Sequence, residues 1–261
     1  MSFKDCLEKA INKEIKADFH MHTCLCDGHD TAEDMVLSAI EKGFAAVGIS
    51  GHSYTFFDES YCMSRENVLR YISDINSLKE KYKNQIQVFC GIEQDFYSEY
   101  PTDEFDYVIG SVHYLKCEEE YVPVDETPDI LISACEKYFG GDICALCECY
   151  FDTVSKVVEK TGCDIIGHFD LITKFIEKEP LFDTKNPRYQ KAWKKAVDIL
   201  LPYDIPFEIN NGAISRGYRM SPYPAADIIA YIRENGGRLI LSSDAHSKED
   251  IGFGFEDIGS L

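Results

Sequence analysis

Short runs of β-branched and aromatic residues alternate along this chain with longer stretches whose apolar positions recur at helical spacing, with a polar or glycine-bearing turn between each pair. The short runs predict strands over 17–20, 45–50, 85–92, 106–112, 163–167, 205–210 and 238–242. The longer stretches predict helices over 31–43, 64–83, 127–139, 143–160, 187–201, 222–235 and from Lys248 onward, most of them about the length a βαβ crossover needs. Thr31 followed by Asp34 forms a cap of the capping-box kind, Pro128 and Pro222 stand where first-turn prolines belong, and Gly43 and Gly236 follow helices as left-handed stops. Seven strands with intervening helices predict a (β/α) barrel or an open α/β sheet. No linker, repeat or low-complexity segment divides residues 1–261, so a single domain is expected.

Composition narrows the function. Lys and Arg number 26 against 46 Asp and Glu, a net charge of −20, which excludes a general nucleic-acid binder because phosphate affinity needs clustered cations. The first residues alternate charged with apolar side chains and lack an export-type apolar stretch, and no apolar run approaches the roughly 20 residues that span a bilayer. Eleven cysteines, an odd number spread through strand and helix patterns, read as reduced thiols of a cytoplasmic protein. Cys144-Ala-Leu-Cys147-Glu-Cys149 reads as helix packing, and Cys24 and Cys26 as inert loop thiols. The run Cys117-Glu-Glu-Glu120 reads as a solvated loop and Lys174 as a solvent-facing side chain, while Ser53-Tyr-Thr-Phe-Phe57 is either a wall over the site or core. Gly252-Phe-Gly254-Phe lacks the spacing of a phosphate loop.

The histidines carry the chemistry. Asp18-Phe-His20-Met-His22, Gly51-His52, Gly110-Ser-Val-His113, Gly167-His168 and Asp244-Ala-His246 each close a predicted strand, Glu93 closes a sixth, and His29 lies in the loop after His22. In a βα architecture the C-terminal strand ends share one face, so these groups would converge there. Alternation along a strand puts both members of an H-x-H or D-x-H pair on one side. Neutral imidazole and carboxylate suit zinc, iron and manganese, and the set is too large for a single ion.

Taken together these motifs resemble the PHP (polymerase and histidinol phosphatase) superfamily, over residues 18 to 246. Gly110-Ser-Val-His-Tyr-Leu115, Gly167-His-Phe-Asp-Leu-Ile-Thr-Lys-Phe175 and Ser243-Asp-Ala-His-Ser247 look like its histidinol-phosphate phosphatase branch. The resemblance implies a distorted (β/α)7 TIM-like barrel with three divalent ions, zinc, iron or manganese, at the C-terminal strand ends. It assigns His20, His22, Glu93 and Asp244 to the first ion, Glu93, His113 and His168 to the second, and His29, His52 and His246 to the third, with Glu93 bridging two. The loop Cys24-Leu-Cys-Asp27-Gly-His29 is one residue longer than the family pattern, which leaves Asp27 as the alternative to His29.

Clustered divalent ions generate hydroxide near neutral pH and neutralise phosphoryl charge. The expectation is therefore a phosphomonoesterase acting by in-line attack of a metal-bridging hydroxide, with Glu93, Asp244 and His246 as catalytic groups. Arg216, then Arg219, is expected to bind phosphate, although Asn211-Gly-Ala-Ile-Ser-Arg216 departs from the family's usual loop. L-histidinol phosphate, cationic at its other end, fits an acidic protein. The competing readings are another small phosphomonoester, a phosphodiester, an amidohydrolase, which would need a bridging lysine, and a non-catalytic metal-binding regulator.

Overall fold

A computed structural model describes residues 1–256. Among them nine strands form: β1 (Ala17–Asp18), β2 (Ala46–Ile49), β3 (Gln87–Asp95), β4 (Tyr107–Ser111), β5 (Tyr114–Cys117), β6 (Glu120–Pro123), β7 (Ile165–Ile166), β8 (Phe207–Asn210) and β9 (Leu239–Ser242). Seven of them pair in parallel in the order β1-β2-β3-β4-β7-β8-β9. Beyond β1 and β9 a parallel bridge joins Met21 to Ala245, where the His22 N–H donates to the Ala245 carbonyl at 2.8 Å. That seam leaves the sheet a nearly closed (β/α)7 barrel, the distorted barrel expected from the sequence.

Alternation along the strands gives the barrel two apolar layers. Ala17, Phe19, Ala46, Phe89, Tyr107, Ile109, Ile165 and Ile240 form an inner core with Phe3, Cys6 and Leu7 of α1 (Phe3–Ile11). This helix is not among the expected elements, because lysines and acids interrupt the apolar Phe3, Cys6, Leu7 spacing. Its start is nonetheless marked by Ser2 and Asp5, whose side chains cap it reciprocally. Tyr107 fills the middle of the barrel: a Cβ placed on Gly48 or Gly91 would stand 2.1 Å from the end of its ring. Its hydroxyl donates to the Phe19 carbonyl, and Phe3 stacks on it at 4.2 Å.

Helices α2 (Ala32–Glu41), α3 (Arg65–Tyr82), α4 (Pro128–Phe139) and α7 (Pro187–Leu200) occupy expected stretches. Thr31 caps α2 in a complete capping box, its hydroxyl accepting from the Asp34 N–H at 3.2 Å while Asp34 Oδ2 accepts from the Thr31 N–H. Thr31→Ala is expected to cost about 1 kcal/mol of unfolding free energy, read from a urea midpoint. A midpoint that does not move would show that the box contributes nothing.

Four expectations change. The stretch 143–160 breaks into α5 (Ile143–Val154) and α6 (Val157–Thr161), because the Ser155 hydroxyl turns back to the Asp152 carbonyl where the ladder would continue. Pro222 is not a first-turn residue: Tyr223 pairs with Asn210 through two backbone bonds, pinning this segment to β8. A short helix, α8 (Gly212–Ser215), precedes it, and α9 (Ala226–Glu234) starts only after Ala225. The run 117–120 is solvated as expected, with Glu118, Glu119 and Glu120 exposed, but it is the turn of the β5–β6 hairpin. From Lys248 onward the chain makes one 3-10 turn, Lys248–Asp250, and further turns to 256; the remainder of that predicted helix, 257–261, lies outside the described residues. Among the described residues no helix is long and apolar enough to cross a membrane.

Candidate metal centre

The inward phase of β3 runs Phe89, Gly91, Glu93, which delivers a carboxylate to the barrel axis just where the apolar layer ends. Five imidazoles surround it. Glu93 Oε2 lies 3.3 Å from His20 Nε2, 3.6 Å from His22 Nε2 and 3.0 Å from His52 Nδ1. Its other oxygen lies 2.8 Å from His168 Nε2 and 3.4 Å from His113 Nε2, and accepts from the Ser111 hydroxyl at 2.7 Å. His20 and His22 turn to this side while Met21 between them packs in the outer core. Asp244 completes the group from beyond β9, its Oδ1 3.1 Å from His22 Nε2 and 3.7 Å from His20 Nε2. Asp244 holds φ at 49°, a left-handed conformation that non-glycine residues seldom adopt and that recurs at functional sites.

The side chains fit a divalent ion. His20 Nε2, His22 Nε2 and Glu93 Oε2 are buried, mutually close and without a hydrogen-bond partner, an arrangement that is costly unless a cation stands among them. His20, His22 and Asp244 form one group able to hold an ion, His52, Glu93 and His113 a second, and His22, Asp27, His52 and His246 a third. Protonation follows the same logic. Burial opposes charge on His20 and His52, yet Glu208, Glu93 and Asp244 around the first, and Glu93 and Asp27 around the second, raise both well above the ordinary imidazole value. Burial, with His246 and His52 beside it, drives His22 down to about 3, leaving a neutral ring. Burial would raise Glu93 and Asp244, but His52, His20 and His113 hold the first, and Arg216 and His20 the second, well below the usual carboxylate range.

Two expected positions are corrected. His29 is exposed; only its backbone N–H reaches the cluster, donating to the His246 carbonyl at 2.8 Å. Asp27 stands there in its place, 3.2 Å from His246 Nε2, 3.6 Å from His52 Nε2 and 3.5 Å from His22 Nδ1. The loop turns tightly back on itself, Cys26 and Gly28 both donating to the Thr23 carbonyl. Gly28 packs so close to residues 22 and 23 that a Cβ there would be 2.6 Å from the Thr23 nitrogen. Arg219 is buried away from the opening, its guanidinium bonded to Thr173 and Ser221 and lying 4.4 Å over the Tyr223 ring. Arg216 does face the opening, donating to the Asp244 carbonyl at 2.8 Å and to Asp244 Oδ2 at 3.1 Å.

Beside the imidazoles opens a cavity of about 330 Å³, lined among others by Arg216, His246, Tyr61, Tyr114, Asp58, Asp125 and Glu126. Lys174 lines it too and pairs with Asp125 at 3.2 Å, so it is not the solvent-facing side chain its sequence context implied. None of Ser53–Phe57 lines the cavity: Phe57 stacks on Tyr121 of β6 at 3.8 Å, and the lining begins just after it at Asp58, which accepts from the Tyr114 hydroxyl at 2.7 Å. Cys144 and Cys147 are buried on α5, Cys24 is exposed, and Cys26 Sγ sits 3.7 Å from His22 Nδ1.

Sequence reasoning missed two carboxylates beneath the ligands. Glu208 of β8 is fully buried, with Oε2 2.8 Å from His20 Nδ1, and Asp95, two residues after Glu93 on the same face, lies 3.4 Å from His113 Nδ1. Acidic residues in inward phase within otherwise apolar strands were the available signal.

Comparison with known proteins agrees with this geometry. Residues 18–212 match the PHP domain family. A Deinococcus radiodurans protein named "Probable histidinol-phosphatase" is 28% identical over 257 residues, covering 92% of this chain and 90% of that one. The Bacillus subtilis histidinol-phosphatase is 26% identical over 267 residues, covering 92% and 97%. The solved histidinol phosphate phosphatase of Lactococcus lactis shares the fold, with a TM-score of 0.64 at 18% identity over 89% of this chain and 87% of that one. With its histidine and carboxylate groups gathered at one end of the barrel, this chain belongs to the PHP family.

Proposed function

We propose that this metal-dependent phosphatase hydrolyses L-histidinol phosphate to L-histidinol and phosphate, with three divalent ions of the zinc, iron or manganese type. The observation that carries the reading is that one cavity is lined both by ligand imidazoles with Arg216 and by the carboxylates of Asp58, Asp125 and Glu126, of which Asp125 is paired with Lys174. His20, His22, Glu93 and Asp244 would hold the first ion, Glu93, His113 and His168 the second, and Asp27, His52 and His246 the third. Ions held there supply Lewis acidity and make hydroxide available near neutral pH. Arg216 neutralises the phosphoryl oxygens, its planar fork matched to them. Asp58 and Glu126 face the ammonium and imidazole of the substrate, flanked by the faces of Tyr61 and Tyr114. Asp244 and His246 both contact Arg216, and assistance to proton transfer toward the departing alkoxide is assigned to one of them. The Lactococcus lactis protein was solved with zinc, L-histidinol and phosphate, the same ligand chemistry. All eleven cysteines stand unpaired, in keeping with a reducing cytoplasmic setting.

Phosphate release from L-histidinol phosphate, measured beside a panel of sugar phosphates and a bis-aryl phosphodiester with manganese supplied, tests this. The expected kcat/KM is at least about a hundredfold above the panel, roughly 2.7 kcal/mol of discrimination, and chelation abolishes it. Equal rates across the panel would remove histidinol phosphate as the substrate.

A further inference from the structure

Glu208 has no place in the ligand set, yet it is fully buried beside it and hydrogen-bonds to four groups. Its Oε1 accepts from the His168 backbone N–H at 2.5 Å and from Asn210 Nδ2 at 2.9 Å, and its Oε2 accepts from the Ser242 hydroxyl at 2.7 Å. The Asn210 amide is oriented by its own carbonyl, which accepts from the Gly212 N–H at 2.9 Å, so its nitrogen must be the atom facing Glu208. These contacts establish Glu208 as an acceptor. The fourth group on it, His20 Nδ1 at 2.8 Å, therefore carries the hydrogen of that contact.

A ring whose Nδ1 is committed as donor has only Nε2 to offer a metal, and it is Nε2 that lies unpartnered among Glu93 and Asp244. We propose that Glu208 is the positioning residue of the first metal site: it fixes the tautomer and orientation of His20 and, through the same carboxylate, the backbone of His168. One side chain on β8 thus joins the segments that follow β1 and β7 to the end of β9 directly beneath the cluster. Carboxylate–histidine pairs of this kind typically change metal affinity 10- to 100-fold when broken. A purely structural Glu208 would instead affect folding and leave affinity alone.

This assignment rests on the metal reading above, and the experiment separates the two. Metal-free wild type and Glu208→Gln are titrated with Mn²⁺ alone, counting bound ions and their affinity, while thermal melts of the metal-free proteins report folding. The expected result is an affinity at least tenfold weaker at one position in Glu208→Gln, with its remaining sites filled. Glu208→Asp, which keeps the charge but shortens the reach, is expected to fall between and stands in should the glutamine variant not fold. Independently, ¹⁵N-histidine spectra of the zinc-loaded wild type are expected to show His20 protonated at Nδ1 and metal-bound through Nε2. Ligation through Nδ1, or equal Mn²⁺ affinity in Glu208→Gln and wild type, overturns the assignment. A wild type that takes up neither metal overturns the metal reading and this inference with it.

Discussion

Glu93→Gln is expected to lower kcat/KM about 10⁴-fold, close to 5.5 kcal/mol of transition-state stabilisation, while leaving the barrel folded. The amide matches the carboxylate in shape, so packing is kept. What it removes is the negative charge that five imidazoles face, and it replaces one pair of lone pairs with hydrogens. Among the described residues no other acidic side chain lies against the imidazoles of both the His20–His22 pair and the His113–His168 pair, so the loss falls on two proposed ion positions at once. A loss of this size is the scale on which bound metals contribute charge stabilisation. The check is steady-state kinetics on L-histidinol phosphate with saturating manganese, beside metal content and a melting curve. Retention of activity within tenfold of wild type would remove Glu93 from the centre.

Gly91→Ala is expected to destabilise the fold by about 3 kcal/mol, at the upper end of the cost of overpacking a core. The new methyl would sit 2.1 Å from Tyr107 Cζ and 2.3 Å from Cε1. That ring has nowhere to retreat, because Phe3 stacks on its face and its hydroxyl is committed to the Phe19 carbonyl. Urea unfolding measures the loss, and a double-mutant cycle assigns it: in a Tyr107→Ala background the alanine at 91 should cost far less. Additive effects, or a loss below 1 kcal/mol, would mean that the tyrosine yields.

The seven barrel strands were legible because each crossover changes the hydrophobic period from two to 3.6 and back, and the histidines announced which ends of those strands converge. Residues whose placement depends on loop geometry were not legible. Asp27 and His29 are both reasonable ligands two positions apart, and what decides between them is the tight return of the loop at Gly28, invisible to spacing. Arg216 and Arg219 look equivalent in sequence, but Thr173, Ser221 and the Tyr223 ring hold the second inside the protein. The β5–β6 hairpin escaped because its turn is made of glutamates in place of the usual Asn-Gly, with Glu118 at φ 55°. Glu208 was passed over as one polar residue in an apolar strand, since nothing local reveals that His20, 188 positions away, ends beside it.

The seam between Met21 and Ala245 orders the assembly of the protein in time. Glu93, His113 and His168 belong to the first two-thirds of the chain, whereas Asp244 and His246 reach His20 and His22 only once the last barrel strand is laid against the first. On a ribosome, a nascent chain holding residues 1–168 could gather part of the cluster but not Asp244's share of it. Full metal capture would therefore be a late event, and the completed centre a clasp that fastens the first barrel strand to the last.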